Sequence, residues 1–204
     1  MRLALAGAGA GGERAFLALV ERYHSSLARV ASFWCEQSEE IEALVNQTWS
    51  SMLQRLDRFD DQSSLKGWLC VTLIKLARQK AGPEADQQLQ LAAAAAGEPS
   101  VALERFYPAG ARWEGHWRSP PVAWPEAPPL VAAAGVVEAA VAALPRVERL
   151  MSVLRDSEGL SSLEVQRALD FEDVVQRKLL HRARSRIRAA LEQHYLDRAQ
   201  EDLT

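Results

Sequence analysis

Cysteine is nearly absent from this chain: Cys35 and Cys70 are the only two in 204 residues. No CxxC pair and no Cys/His cluster surrounds them. Neither a disulfide framework nor a zinc site can be assembled, and both read as buried thiols in a reducing cytoplasm. Histidine is scarce as well, four residues scattered along the chain, and no residues come together as a catalytic triad, a phosphate loop or a metal site. Long hydrophobic runs are missing. The opening MRLALAGAGAGG is briefly apolar but too short to span a membrane, lacks the layout of a secretory signal, and reads as a loose leader. Its glycines approach G-x-G spacing, but with no strand before them they do not make a nucleotide site. A strong charge of either sign is missing too. A net charge of −3 and a pI near 5.9 exclude a protein that coats nucleic acid indiscriminately, so any contact with DNA must come from a local patch.

What is present is helical pattern. Apolar residues make up 48% and charged residues 25%, ordinary for a soluble globular protein, and the length suits one medium domain or two small ones. Phe16, Val20, Tyr23, Leu27, Val30 and Trp34 fall at alternating steps of four and three, one face of a first helix from Glu13. Ile41, Leu44, Val45, Thr48, Met52, Leu53 and Leu56 line a second from about Glu39 to Leu56. After a polar loop, Ser63 or Ser64 is placed to cap a third helix beginning at Leu65, with Leu65, Trp68, Leu69, Thr72 and Leu76 as its apolar side. Trp34, Trp49 and Trp68, at helical spacing, read as core. These helices predict a compact domain over residues 13–81.

From Gly82 to about Pro129 the pattern breaks. The segment holds most of the prolines together with Trp113, Trp117 and Trp124. Proline at that density opposes regular structure and predicts an extended linker over 82–130, its rings lying against a domain or a partner. A second helical domain is expected over 131–195. Pro145 is placed to open a helix carrying Val147, Leu150, Met151 and Leu154, which Gly159 stops. Ser161 and Glu164 have capping-box spacing at the start of a short helix, and Asp170-Phe171 makes a tight turn. The helix beyond buries Val175, Leu179, Ala183, Ile187 and Leu191. Arg177, His181, Arg184 and Arg188 recur on another face, and between Val174 and Arg188 there are six Lys or Arg and no acid. That is the layout of a helix-turn-helix whose second helix meets DNA. A solvated basic face is the plainer alternative. The opposite charge crowds at Glu36 to Glu42, where acids suit a helix start.

The segment LPRVERLMSVLRDSEGLSSLEVQRALDFEDVVQRKLLHRARSRIRAAL resembles the promoter-reading C-terminal domain of sigma factors of the extracytoplasmic-function (ECF) type within the sigma-70 family. ERAFLALVERYH, IEALVNQTWSSMLQRLDRF and SSLKGWLCVTLIKLARQK resemble, in order, the N-terminal domain of the same family. The resemblance covers about two thirds of the chain. It implies an all-α protein of two small helical domains joined by a Pro/Trp-rich linker. It further implies a cytoplasmic, non-catalytic protein without cofactor or metal, which binds core RNA polymerase through the β′ coiled coil and directs promoter-specific transcription initiation. An anti-sigma factor is the expected regulator; neither a membrane nor a small-molecule substrate is expected. By position, Leu44, Val45, Asn46, Gln47 and Trp49 fall on the polymerase-binding helix. Lys66, Trp68, Lys75 and Arg78 fall on the helix that meets the −10 element. Gln176, Arg177, Lys178, His181, Arg182 and Arg184 fall on the helix that meets the −35 element.

The chain departs from the family pattern at several of these places. Ala43 and Gln47 stand where the family carries carboxylates, Ile74 and Gln79 replace polar residues late in the third helix, and Gly82 stands where a basic residue is common. Asp170 replaces the usual glycine of the turn, and Glu172 and Asp173 open the helix expected to face phosphates, where acids cost affinity. A working sigma factor is thus one reading. A diverged sigma-like protein that binds polymerase or DNA weakly and acts through a protein partner is the alternative.

Overall fold

In the computed structural model residues 10–55, 64–95, 103–105, 107–108, 110–112, 118–120 and 130–201 are described, and every regular element among them is helical. Helix α1 spans Ala10–Ala31, α2 Ser38–Gln54, α3 Leu65–Ala94, α4 Leu130–Ala142, α5 Arg146–Ser152, α6 Ser162–Leu169 and α7 Asp173–Glu201, with a 3-10 turn at Leu103–Arg105. The all-α class expected from periodicity holds. The leader to residue 9, the loop at 56–63 and Trp113, Trp117 and Trp124 lie outside the described residues.

The first three helices form where the apolar stripes place them. Leu27 and Val30 of α1 are fully buried. From α2, Leu44, Val45, Thr48, Trp49 and Met52 point inward, and the Trp49 ring meets Phe16 edge to face at 5.7 Å. Ser64 opens α3: its hydroxyl accepts the Gly67 amide N–H at 2.9 Å, satisfying one of the unpaired donors of the first turn.

The linker does not begin where the sequence suggests. At Gly82 the backbone leaves helical geometry with φ 85°, a left-handed value that glycine reaches without a Cβ clash. Pro83 then restarts the helix, which continues to Ala94. Proline costs little at a first helical position, where its missing N–H would have no partner, and the run PEADQQLQLAAA is built of helix formers. Proline density predicts extended chain from 82, but Pro83 is the one proline in this first stretch and the next is Pro99. Within the expected linker, the first stretch is instead a second leg of α3 that folds back at the kink.

Beyond Pro145, α5 runs into a π turn at Val153–Ser157, closed by the Glu158 N–H donating to the Val153 carbonyl at 2.8 Å. The capping box at α6 is complete: Ser161 Oγ accepts the Glu164 N–H, and the Glu164 carboxylate accepts the Ser161 N–H at 2.7 Å. Asp170 follows α6 with φ 61°, the left-handed conformation required of the residue that closes this helix. Three residues later α7 starts, and α4 packs along it.

The apolar stripes of the two halves do not close on themselves. One continuous core joins Leu27, Val45, Met52, Leu69 and Leu73 of the N-terminal helices to Leu150, Leu154, Val165, Leu169, Phe171 and Leu179 of the C-terminal ones. The central contact is α3 against α6. Because that core is shared, Leu154→Ala, at a side chain with no exposed area in the C-terminal half, is expected to destabilise the chain by about 2–5 kcal/mol. The shift should appear equally in the fluorescence of the tryptophans and in far-ultraviolet circular dichroism during urea unfolding. A fluorescence transition left at its wild-type midpoint would mean that the halves fold independently.

Candidate polymerase and nucleic-acid interfaces

Helix α3 repeats Gly67, Cys70, Ile74 and Arg78 at steps of three and four, so these residues share one face. That face meets the C-terminal half. A Cβ added at Gly67 would come within 1.8 Å of the Glu164 carboxylate, closer than atoms can approach. Glycine inside a helix costs roughly 1 kcal/mol against alanine. Here it is the condition for Glu164 to reach the start of α3, where the same carboxylate accepts the Ser64 N–H at 3.2 Å and the Ser64 hydroxyl at 3.1 Å. Glu164 therefore serves two helix starts at once, its own and that of α3.

Glu158 lies beside it, its side chain 1% exposed, with Arg29 of α1 at 2.7 Å and Lys66 of α3 at 2.6 Å. Burial pushes its carboxyl upward, but the hydrogen bonds from Lys66 and Ser26 and the charges of Lys66 and Arg29 outweigh that and hold it below its ordinary 4.5. Glu164 is likewise pushed up by burial and brought below its ordinary value by the hydrogen bonds from Ser161 and Ser64. Between them Cys70 is fully buried; burial, then the charge of Glu158, pushes its thiol up to about 12, so it stays protonated and unreactive at neutral pH. At the far end of the same face Arg78 donates twice to Asp86, at 2.6 and 2.9 Å, and to the Ala168 carbonyl at 2.6 Å and Asp170 at 2.9 Å. Gln90, on the second leg of α3, donates to the Leu169 carbonyl at 2.8 Å.

Of the residues expected to meet the −10 element, Lys66 and Arg78 are thus engaged by carboxylates, Trp68 is half-buried and Lys75 is exposed. On the expected polymerase helix, Asn46 and Gln47 are exposed, whereas Leu44, Val45 and Trp49 are core residues 5% or less exposed. These three cannot be surface contacts: the stripe that made the helix recognisable is its inward side.

On α7, Arg177, Lys178, His181 and Arg184 are exposed. Arg177 pairs along the helix with Asp173 at 3.2 Å, and Arg184 with Asp156. Gln176 and Arg182 need correction as −35 contacts. Gln176 is 1% exposed and donates to the Ser162 and Phe171 carbonyls at 3.0 and 2.8 Å, pinning α7 to the start of α6 and the turn. Arg182 is largely buried and donates to Glu148 at 2.8 Å, and Arg186 meets the same carboxylate at 3.1 Å. Sequence reasoning missed Arg29, Glu148, Asp156 and Glu158, whose partners are distant in the chain. For Glu164 and Gly67 a local signal existed, a capping-box acid and a glycine inside an amphipathic helix.

Residues 19–81 match the family model of sigma-70 region 2. The match ends immediately before the Gly82 kink, so the first leg of α3 lies within the matched segment and the second leg beyond it. Its fold is similar to that of CnrH, solved in complex with the cytosolic domain of CnrY, at 22% identity over 94% of this chain and 97% of that one, with a TM-score of 0.50. It is also similar to the sigma factor RpoE in complex with the anti-sigma factor NepR from Bartonella quintana. There the identity is 17% over 88% of this chain and 98% of that one, with a TM-score of 0.51. No curated protein matches the chain. No helix among the described residues is long and apolar enough to cross a membrane.

The two lowered carboxylates set a pH dependence for this fold. Their folded values lie below their unfolded ones, so the stabilisation is complete above the unfolded value near 4.5 and is lost as pH falls through the folded values. The urea midpoint should drop between about pH 6 and about pH 3, and Glu158→Gln should drop less over that window while starting lower. Equal pH slopes for the two proteins would show that Glu158 does not contribute.

Proposed function

We propose that the protein is an ECF-type sigma factor that binds core RNA polymerase and directs promoter-specific transcription initiation. The observation that carries this reading is the region 2 match over 19–81 together with a fold similar to that of the sigma factor RpoE across nearly its whole length. Binding rather than catalysis is the activity. Promoter recognition by protein side chains uses Lys and Arg to neutralise phosphates and a few base contacts to choose sequence. Arg177, Lys178, His181 and Arg184 present such a set on the exposed side of α7; on α3 Lys75 is exposed, while Lys66 and Arg78 reach a phosphate only by exchanging the carboxylates that now pair them. On α2 the exposed Asn46 and Gln47 are the surface offered to the β′ coiled coil. The domain division follows that reading, with region 2 over 13–81, a connecting segment, and the −35 unit over 131–195. The work takes place in the cytoplasm, with the polymerase. Both structural relatives were solved bound to a protein partner, that of RpoE being named as an anti-sigma factor, and a partner of that class is proposed here as well.

The second reading, a sigma-like protein with weakened polymerase contact, draws on one feature. The outer face of α2 at Ala43, Asn46 and Gln47 is exposed and carries no carboxylate at those positions.

Reconstitution with core polymerase separates the two. A stable complex and promoter-dependent transcription are expected at low salt, and absence of any complex there overturns the sigma-factor reading. In the reconstituted holoenzyme, Arg177→Ala with Arg184→Ala should weaken promoter binding by about 1–3 kcal/mol and make the salt dependence shallower by about two released counterions. Unchanged affinity and slope would leave the basic stripe a solvated face.

A further inference from the structure

Helix α7 opens on an acid, Asp173, at the end of the side that the sigma-factor reading turns toward DNA, where a carboxylate costs affinity. That carboxylate has a fixed place. Ser162, the first residue of α6, donates its hydroxyl to Asp173 Oδ1 at 2.6 Å, and the carbonyl of the same serine accepts from Gln176 Nε2 at 3.0 Å. The start of α7 is thus tied to the start of α6 at two points. The other carboxylate oxygen, Asp173 Oδ2, lies 3.2 Å from Arg177 Nε, one turn along the helix. Arg177 is held by its inner nitrogen, and Nη1 and Nη2 have no protein partner among the described residues. The arginines beyond it are engaged differently. Arg184 spends Nε and Nη2 on Asp156, and Arg182 is largely buried against Glu148.

An exposed ion pair contributes little to stability. What this one fixes is an order of donors and acceptors. A phosphate offers acceptors only, so it draws the guanidinium and repels Asp173. The major-groove edge of a G·C pair offers two acceptors, guanine N7 and O6, and beside them a donor, the cytosine amino group. A guanidinium fork with a carboxylate at its side matches that order. The Nη groups of Arg177 donate to the guanine, and Asp173, whose oxygens keep unused lone pairs, accepts from the cytosine. An A·T pair puts a donor beside N7 and meets the fork with the wrong group. We infer that Arg177 and Asp173 act as one unit that reads a G·C base pair, with Ser162 as the residue that positions it. This inference rests on the sigma-factor reading and names the base pair that the first turns of α7 select. The acid lowers attraction to any DNA backbone and raises discrimination between base pairs.

The test reconstitutes the full chain with core RNA polymerase and lets the complex select, at low salt, from duplexes randomised across the −35 element. Affinity for the selected duplex and for its single-base-pair variants is then measured against salt. Wild type is expected to select a G·C pair and to bind its A·T replacement about tenfold more weakly. Arg177→Lys keeps the charge and loses the fork, so the salt slope should stay while that preference disappears. Asp173→Asn keeps a residue suited to a helix start. It should bind every duplex more tightly, with a slope steeper by about one counterion, and retain a preference of about threefold or less. Ser162→Ala should lower the preference about threefold and leave the slope unchanged. A purely structural role for Asp173 would instead change affinity for every duplex by one common factor, and that result overturns the proposal. Selection of no G·C pair, or a preference undiminished in Arg177→Lys and Asp173→Asn, likewise overturns it and leaves the sigma-factor reading standing. Wild-type chain that forms no complex with core overturns both.

Discussion

Glu158 is the constraint on which the arrangement of the two halves depends. Its carboxylate is buried, and both of its cations, Arg29 and Lys66, come from the other half of the chain. A buried carboxylate without partners costs several kcal/mol, so the π turn that presents Glu158 and the first turn of α3 that presents Lys66 must meet, or Glu158 must return to water. Glu164 adds direction to this requirement. Gly67 is the gap through which it reaches the Ser64 cap, and that gap fixes α6 against α3 to within the space of a methyl group. Around these two acids the apolar residues of both halves close into one core.

The energetics of such a contact divide between specificity and stability. An ion pair taken out of water gains little net free energy, because desolvation cancels most of the Coulomb term, while a wrongly paired alternative is strongly disfavoured. The acids therefore specify which faces meet more than they hold them. What holds them is apolar burial along α3 and α6, which scales with area and is lost when another surface covers the same residues.

The parts legible in the sequence are those whose chemistry is local. Helix periodicity placed α1, α2, the first leg of α3 and α7, the Ser64 cap and the Ser161–Glu164 capping box were readable at three-residue spacing, and the stop at Gly159 and turn at Asp170 followed from residue type. What was not legible falls into two groups. A family motif names the stretch of helix that holds Leu44, Val45 and Trp49, but it does not say which side of that helix faces out. Gln176 and Arg182 are residue types that commonly read bases, and residue type does not say whether the group is already engaged. Here the carbonyls of Ser162 and Phe171 and the buried Glu148 use them first. The pairing of Arg29 with Glu158 bridges 129 positions and leaves no local trace. The helix after Pro83 was missed because proline was read as a breaker over the whole segment, when at a helix's first position it is a start.

The departures from the sigma-family pattern acquire a common sense once the halves are seen together. Asp170 weakens the turn as a free-standing motif, since aspartate reaches the left-handed region less readily than glycine. Its carboxylate nonetheless lies within 2.9 Å of Arg78, on the helix expected to meet the −10 element. Gly82 removes a basic residue from the end of that helix, and its φ of 85° turns Asp86 and Gln90 back toward the same guanidinium and the end of α6. Asp170 and Gly82 each give up a residue that the pattern carries, and each adds a contact between the halves, Asp170 to Arg78 and, beyond Gly82, Gln90 to the Leu169 carbonyl. At these two positions the loss is matched by a partner across the interface, so the substitutions serve the packing of α6 on α3.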